Sequence, residues 1–137
     1  MVPSAIRIRR EVVEELAIQA RQRPESECCG LLAGRNGMIT RAFHTTNAAV
    51  DPETSYEIAP ADLFRLMRAI RSARLELMGI YHSHPNGKNE PSVRDIEGAY
   101  YPHTAYFILS PRPDSPRPAR AFSIRDGRAI ELEIYAS

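Results

Sequence analysis

The chain has only two cysteines in 137 residues, and they are adjacent, Cys28 and Cys29. Adjacency rules out an internal disulfide framework, so both read as reduced thiols of a reducing compartment. With no second cysteine pair at knuckle spacing, a four-cysteine structural zinc site within one chain is excluded as well. Net charge is equally scarce: 18 Lys+Arg against 17 Asp+Glu leave a formal +1. That balance gives no general drive toward nucleic acid or an anionic membrane, and neither is expected as a partner. No apolar run approaches the ~20 residues of a membrane span, and no apolar leader follows Met1. The sequence-based expectation is a cytoplasmic protein.

What is present is ordinary for a globular chain, with 43% hydrophobic and 26% charged residues, and the length suits one domain over residues 1–137. Ala5 to Arg9 alternates isoleucine with arginine and reads as a strand with a solvated basic face; if it lies exposed at a sheet edge, it favours a homodimer. Glu11 to Gln22 places Val12 and Leu16 on one helical face and ends before Pro24. Cys28 to Ala33 is a compact apolar run suited to a buried strand. Asn36-Gly37 then forms a hairpin turn into a strand reaching Thr45.

Asn47 to Thr54 reads as a loop, and Tyr56 to Ile58 as a short strand. Pro60 opens a helix whose expected apolar stripe is Leu63, Phe64, Met67, Ile70 and Ala73. Leu77 to Ser83 is a second buried strand, and a helix is expected from Ser92 to about Tyr100. Strands over 105–110, 119–125 and 129–135 follow, the last two joined by Asp126-Gly127. Helices mixed with hairpins and buried strands predict an α/β or α+β sandwich around a central mixed β-sheet, of which the α/β form, an αβα sandwich, is the expectation carried forward.

The chemically informative stretch runs from His82 to Asp95. At a strand end, His82 and His84 project to the same face, because side-chain direction repeats every two residues. Pro85 stops regular pairing, and a glycine- and asparagine-rich loop can return the chain so that a helix near Ser92 presents Asp95. Two imidazoles and a carboxylate leave one tetrahedral position open, the arrangement of a catalytic zinc site. Such a site needs a base, and spacing alone leaves Glu25, Glu27, Glu57 and Glu90 as candidates. Glu27 is attractive at the mouth of a buried strand, where a rigid sheet can orient its carboxylate. Ser92 and Asp95 also match a simple helix N-cap.

With Glu27, His82, His84, Ser92 and Asp95 in these positions, the chain resembles the MPN-type metalloproteases, often called JAMM proteases. Their pattern is an upstream glutamate, then His-x-His, seven residues, Ser, two residues and Asp. Glu27 to Gly34 is similar to that family's glutamate-bearing strand, and a weaker similarity covers Asn47 through Ile58. The resemblance implies one Zn²⁺ per chain held by His82, His84 and Asp95. It makes Glu27 the base that carries water's proton to a leaving amine, and Ser92 a hydrogen-bond donor to the oxyanion. It also implies the fold of that family and a peptide or isopeptide hydrolase acting after the C-terminal Gly-Gly of a ubiquitin-like or sulfur-carrier protein, with release of cysteine among the outcomes.

Two alternatives carry related motifs. A RadC-like, DNA-repair-associated protein is disfavoured by Ser83 between the histidines and by the lack of an appended DNA-binding region. A non-catalytic MPN scaffold is disfavoured by the full ligand set. His44 and His103 read as surface or sheet-edge histidines, and Cys28 and Cys29 as small apolar residues packed beside the site.

Overall fold

The computed structural model describes residues 4–137. Seven strands and three helices alternate along the described chain: β1 (Ala5–Ile8), α1 (Arg10–Gln22), β2 (Cys29–Arg35), β3 (Met38–Thr45), α2 (Pro60–Ser72), β4 (Glu76–Ser83), α3 (Val93–Glu97), β5 (Ala105–Leu109), β6 (Ala119–Arg125) and β7 (Arg128–Ala136). Strands pair in the order β1-β3-β2-β4-β5-β6-β7. The contacts β1–β3, β1–β7 and β4–β5 are parallel, and the others are antiparallel. The sheet is therefore mixed, as expected. Two of its hairpins turn on Asn36-Gly37 and Asp126-Gly127, all four residues having positive φ, the geometry of a type I′ turn whose twist matches the strands it joins.

Both faces of the sheet are covered, which explains the near-continuous apolar runs. Along β5, Phe107 and Leu109 join Val12, Leu16 and Ala20 of α1 in one core. The intervening Tyr106 and Ile108 join Leu66 and Ile70 of α2 in the other. The period-2 direction of one strand thus feeds two separate cores. Leu66 and Ile70 anchor α2, whereas Phe64 is 66% exposed. The expected stripe is displaced, because Leu63, Leu66 and Ile70 share the inward face at helical spacing and Phe64 and Met67 lie about 100° away.

Three further expectations are corrected. β1 is not an exposed edge: it pairs with β7 on one side and β3 on the other, closing the sheet into a ring and removing the basis for a homodimer through that strand. Tyr56 to Ile58 forms no strand; the loop around it is organised by Asn47, which donates to the Ser55 carbonyl and accepts from the Glu57 N–H. α3 ends at Glu97, because Gly98 caps it through an N–H bond to the Arg94 carbonyl. Among the described residues, no helix is long and apolar enough to cross a membrane.

Candidate metal centre and active site

β2 and β4 are antiparallel neighbours, with Cys29 opposite His82. One residue beyond that pair, the Cys28 N–H donates to Ser83 Oγ (2.9 Å) and the Ser83 N–H donates to the Cys28 carbonyl (3.0 Å). Strand alternation sends Ser83 to one face of the sheet and leaves His82 and His84 on the other. Glu27 is held on both sides of its backbone: its N–H donates to the Pro52 carbonyl (2.7 Å), and its carbonyl accepts from Asn47 Nδ2 (3.0 Å).

Asp95 arrives from α3. Its N–H donates to Ser92 Oγ (3.0 Å) while the Ser92 N–H donates back to Asp95 Oδ2 (2.9 Å), a reciprocal capping box. The same carboxylate lies 3.1 Å from His82 Nε2 and 3.0 Å from His84 Nε2, and the two Nε2 atoms are 3.1 Å apart. Capping and contact with the histidines therefore coexist in one side chain. His82, His84 and Glu27 each offer an atom within 4.8 Å of the others, so four of the residues singled out from sequence converge.

The donor set fits a cation. His84 Nδ1 donates to the Lys88 carbonyl (2.7 Å), which leaves the neutral ring's lone pair on Nε2, aimed at His82 Nε2 and the Asp95 carboxylate. Acceptor atoms this close require a positive charge among them. Two imidazole nitrogens and one carboxylate oxygen suit zinc, with Glu27 beside them. Burial disfavours the His84 cation, but the hydrogen bonds to Asp95 and Lys88 outweigh it and raise the pKa. Burial likewise opposes ionisation of Asp95, yet the bonds from His82 and His84 hold its carboxyl well below the usual carboxylate range. His82, fully enclosed, is pushed down by burial, and its ring stacks on Tyr56 with centroids 4.3 Å apart.

Glu27 is the outlier in this cluster. It is only 5% exposed, its Oε1 has no hydrogen-bond partner among the described residues, and burial above all lifts its carboxyl to about 7. Of the other candidate bases, Glu25 and Glu90 are exposed at the rim of the same cleft, and Glu57 lines a different cavity. Burial also pushes the Cys29 thiol up to about 12 and raises Cys28, so neither is an activated nucleophile at neutral pH. His44 lies beside Tyr81 and Glu15, and His103 beside Arg125.

Asn47, Ser83, Tyr56 and the Lys88 carbonyl escaped the sequence reading. Only Ser83 left a trace: between two histidines that share a face, it must point to the other face of the sheet.

This fold, with a His-x-His strand end facing a capped aspartate, is of the JAB1/MPN class. AF2198, a JAB1/MPN domain protein from Archaeoglobus fulgidus, superimposes with TM-score 0.65 at 18% identity, over 96% of this chain and 99% of that one. Protein DSY2949 from Desulfitobacterium hafniense gives TM-score 0.85 at 28% identity, over 96% and 92% of the respective chains. Residues 9–125 match the Prok-JAB model, prokaryotic homologs of the JAB domain, and the chain belongs to that family. Among curated relatives, a desampylase of Haloferax volcanii is 39% identical over 90 residues, which span 64% of this chain and 65% of the relative, just under two thirds of its length. The CysO-cysteine peptidase of Mycobacterium tuberculosis is 32% identical over 93% of this chain and 88% of its own. A probable TtuB-protein conjugate cleaving protease of Thermus thermophilus is 32% identical over 91% and 80%.

Proposed function

We propose that this chain is a zinc-dependent peptidase that hydrolyses the bond after the C-terminal Gly-Gly of a ubiquitin-like or sulfur-carrier protein. The observation that carries the reading is the buried, unpartnered carboxylate of Glu27 beside the converging His82, His84 and Asp95. The names of the relatives matched over 88% and 80% of their own length, a CysO-cysteine peptidase and a probable TtuB-protein conjugate cleaving protease, support the substrate class.

In this reading His82, His84 and Asp95 hold the metal. A zinc ion bound there supplies Lewis acidity toward water and a carbonyl. Glu27 takes a proton from the attacking water and returns it to the departing nitrogen, a task suited to a carboxyl whose pKa is near neutrality. Ser92 Oγ accepts from the Asp95 N–H and keeps its own hydroxyl hydrogen. It can therefore donate to the oxyanion without giving up the cap, a contact worth roughly 3 kcal/mol at other oxyanion sites. His84 keeps its lone pair directed inward because the Lys88 carbonyl holds its other nitrogen.

The test is to incubate the zinc-loaded chain with ubiquitin-like proteins extended beyond Gly-Gly and to weigh the products. Cleavage at that bond, lost in Glu27→Gln, is expected. Unchanged turnover in that variant would reject Glu27 as the base, and intact substrates with wild type would reject the function.

A further inference from the structure

The hydrogen bond from His84 Nδ1 to the Lys88 carbonyl, 2.7 Å long, is only as fixed as the carbonyl that accepts it. Lys88 is exposed, and residues 85–90 belong to no helix or strand, so no regular ladder of backbone bonds holds that carbonyl in place. At its start the loop is tied to β5, where the His84 N–H donates to the Leu109 carbonyl at 2.9 Å. A local turn adds two more bonds: the Gly87 N–H donates to the His84 carbonyl and the Lys88 N–H to Asn86 Oδ1, both at 2.9 Å. A turn closed on itself can still swing as a unit about its ends.

Asn89 supplies the tether at the far end. Among the described residues of the segment 85–90 it is the one that is buried, at 8% exposure, and its Nδ2 donates to the Arg117 carbonyl at 2.6 Å. Only the amide nitrogen can donate to a carbonyl, which fixes the orientation of the side chain. The acceptor belongs to the connection between β5 and β6, stiffened by Pro111, Pro113, Pro116 and Pro118 and closed by the Ser110 N–H, which donates to the Pro118 carbonyl at 2.9 Å. Arg112 of that connection lies so near the loop that a Cβ at Gly87, where φ is +83°, would come within 2.5 Å of its side chain. Pro85, Asn86, Lys88 and Glu90 line the cleft that contains Glu27, His84 and Ser92, and Asn89 does not. Its side chain is turned away from the reacting groups and toward a rigid neighbour.

Resting on the proposed role of His84 as a metal ligand, we infer that Asn89 is a positioning residue for the metal centre: pinned to the Arg117 carbonyl, it fixes the Lys88 carbonyl and, through it, the ring of His84. Two hydrogen bonds, at 2.6 and 2.7 Å, and the peptide between Lys88 and Asn89 make up the whole connection from the β5–β6 segment to the imidazole. The partner of a ligand's second nitrogen decides which nitrogen carries the proton and how the ring is turned. Truncation of Asn89 leaves the Arg117 carbonyl without this donor and frees the peptide after Lys88 to rotate toward solvent, where the Lys88 side chain already lies. His84 then loses a fixed acceptor on Nδ1 although none of its own atoms has changed.

The experiment takes two readings: zinc affinity by competition with a chromogenic chelator, and solvent exchange of the His84 Nδ1 proton in the zinc-loaded, ¹⁵N-labelled chain. Asn89→Ala should bind zinc roughly tenfold to a hundredfold more weakly than wild type, and its ring proton should exchange several-fold faster. Asn89→Leu fills much the same space without the amide and should show the same two losses. Arg120→Ala breaks the neighbouring contact from Glu90 to Arg120, at 3.7 Å, and should leave both readings at wild-type values. Wild-type affinity and ring-proton protection in Asn89→Ala or in Asn89→Leu overturn the inference. An equal loss in Arg120→Ala also overturns it, because any loosening of the loop would then suffice. His84→Ala separates this inference from the reading beneath it. If His84→Ala keeps full zinc affinity, the ligand set is wrong and both fall; if it loses zinc while the Asn89 variants keep theirs, the metal centre stands and the role of Asn89 falls.

Discussion

Ser83 and Cys28 are joined by two hydrogen bonds, Cys28 N–H to Ser83 Oγ at 2.9 Å and Ser83 N–H to the Cys28 carbonyl at 3.0 Å. A side-chain oxygen thus extends the β2–β4 ladder and ties the residue after Glu27 to the residue between the two histidines. Ser83 is buried, so Ser83→Ala leaves the Cys28 N–H without its acceptor and should cost about 1–3 kcal/mol in urea unfolding. Because the acceptor loss is felt next to Glu27, kcat should fall more than KM rises. A variant destabilised but with unchanged kcat would show that the clamp serves the fold alone.

Glu27→Gln separates catalysis from stability. The Glu27 carboxyl is raised by burial to about 7 from 4.5, so between those values the folded metal-free chain holds a proton that the unfolded chain has released. Its contribution falls as pH rises through this window and levels off above pH 7. Glutamine carries no such charge. The variant is expected to be more stable than wild type at pH 8, by on the order of 2 kcal/mol, and no more stable at pH 4. Denaturant unfolding of chelator-treated protein at the two pH values checks this, and a pH-independent difference would count against a carboxylate buried without a partner.

Asp95 has two duties, and isosteric replacement distinguishes them. Asn at this position can still accept the Ser92 N–H, so Asp95→Asn keeps the cap, but it loses the carboxylate that His82 and His84 hold, and the metal-free chain should lose about 1–3 kcal/mol at neutral pH. Without that charge, zinc affinity should drop by at least tenfold to a hundredfold, measured by competition with a chromogenic chelator. Ser92→Ala should do the reverse, costing about 1 kcal/mol of stability through the lost cap while retaining stoichiometric zinc. Full zinc affinity in Asp95→Asn would remove Asp95 from the ligand set.

Sequence was most informative where one periodic rule decides the outcome. Period-2 alternation placed His82 and His84 on a common face, and Asn36-Gly37 and Asp126-Gly127 named their own turns. In α2, Leu63 and Ile70 face the core as expected, whereas Phe64 and Met67 are apolar without being inward, because helical spacing tolerates two neighbouring faces. Ring closure through β1 was invisible, since it depends on Ala5–Ile8 meeting β7, a strand more than a hundred residues away. At the site, no local pattern marks Asn47, whose side chain joins Glu27, Ala49, Ser55 and Glu57, or Tyr56, which stacks on His82 only after the loop has folded.

Asn47 offers a test of how far loop order reaches into the site. Its amide donates to the carbonyls of Glu27 (3.0 Å) and Ser55 (2.9 Å), and its oxygen accepts the N–H groups of Ala49 and Glu57, both at 3.0 Å. Asn47→Ala removes all four bonds, and a loss of about 2–4 kcal/mol in unfolding free energy is expected. Asn47→Asp keeps the two acceptor bonds but turns a carboxylate oxygen toward the Glu27 and Ser55 carbonyls, so it should recover less than half of that loss. If the loop positions Glu27 and Tyr56, kcat should follow the same order, wild type above Asn47→Asp above Asn47→Ala, with zinc content constant across the three.

Gly30 sets the tightest steric limit near the centre. A Cβ built there would lie 2.3 Å from the Phe43 carbonyl oxygen and 2.5 Å from the Tyr81 hydroxyl, and β2 cannot retreat because β3 and β4 pair with it on both sides. Gly30→Ala should therefore destabilise the chain by about 3 kcal/mol or more, the range of overpacked cores. Gly127→Ala meets open space but a φ of +73°, a cost nearer ~1 kcal/mol. Tyr81 precedes His82 in β4, so accommodating the Gly30→Ala methyl must also shift the histidine. Reduced zinc affinity is expected in Gly30→Ala and not in Gly127→Ala, and equal affinities in the two would show that the strand absorbs the strain before it reaches His82.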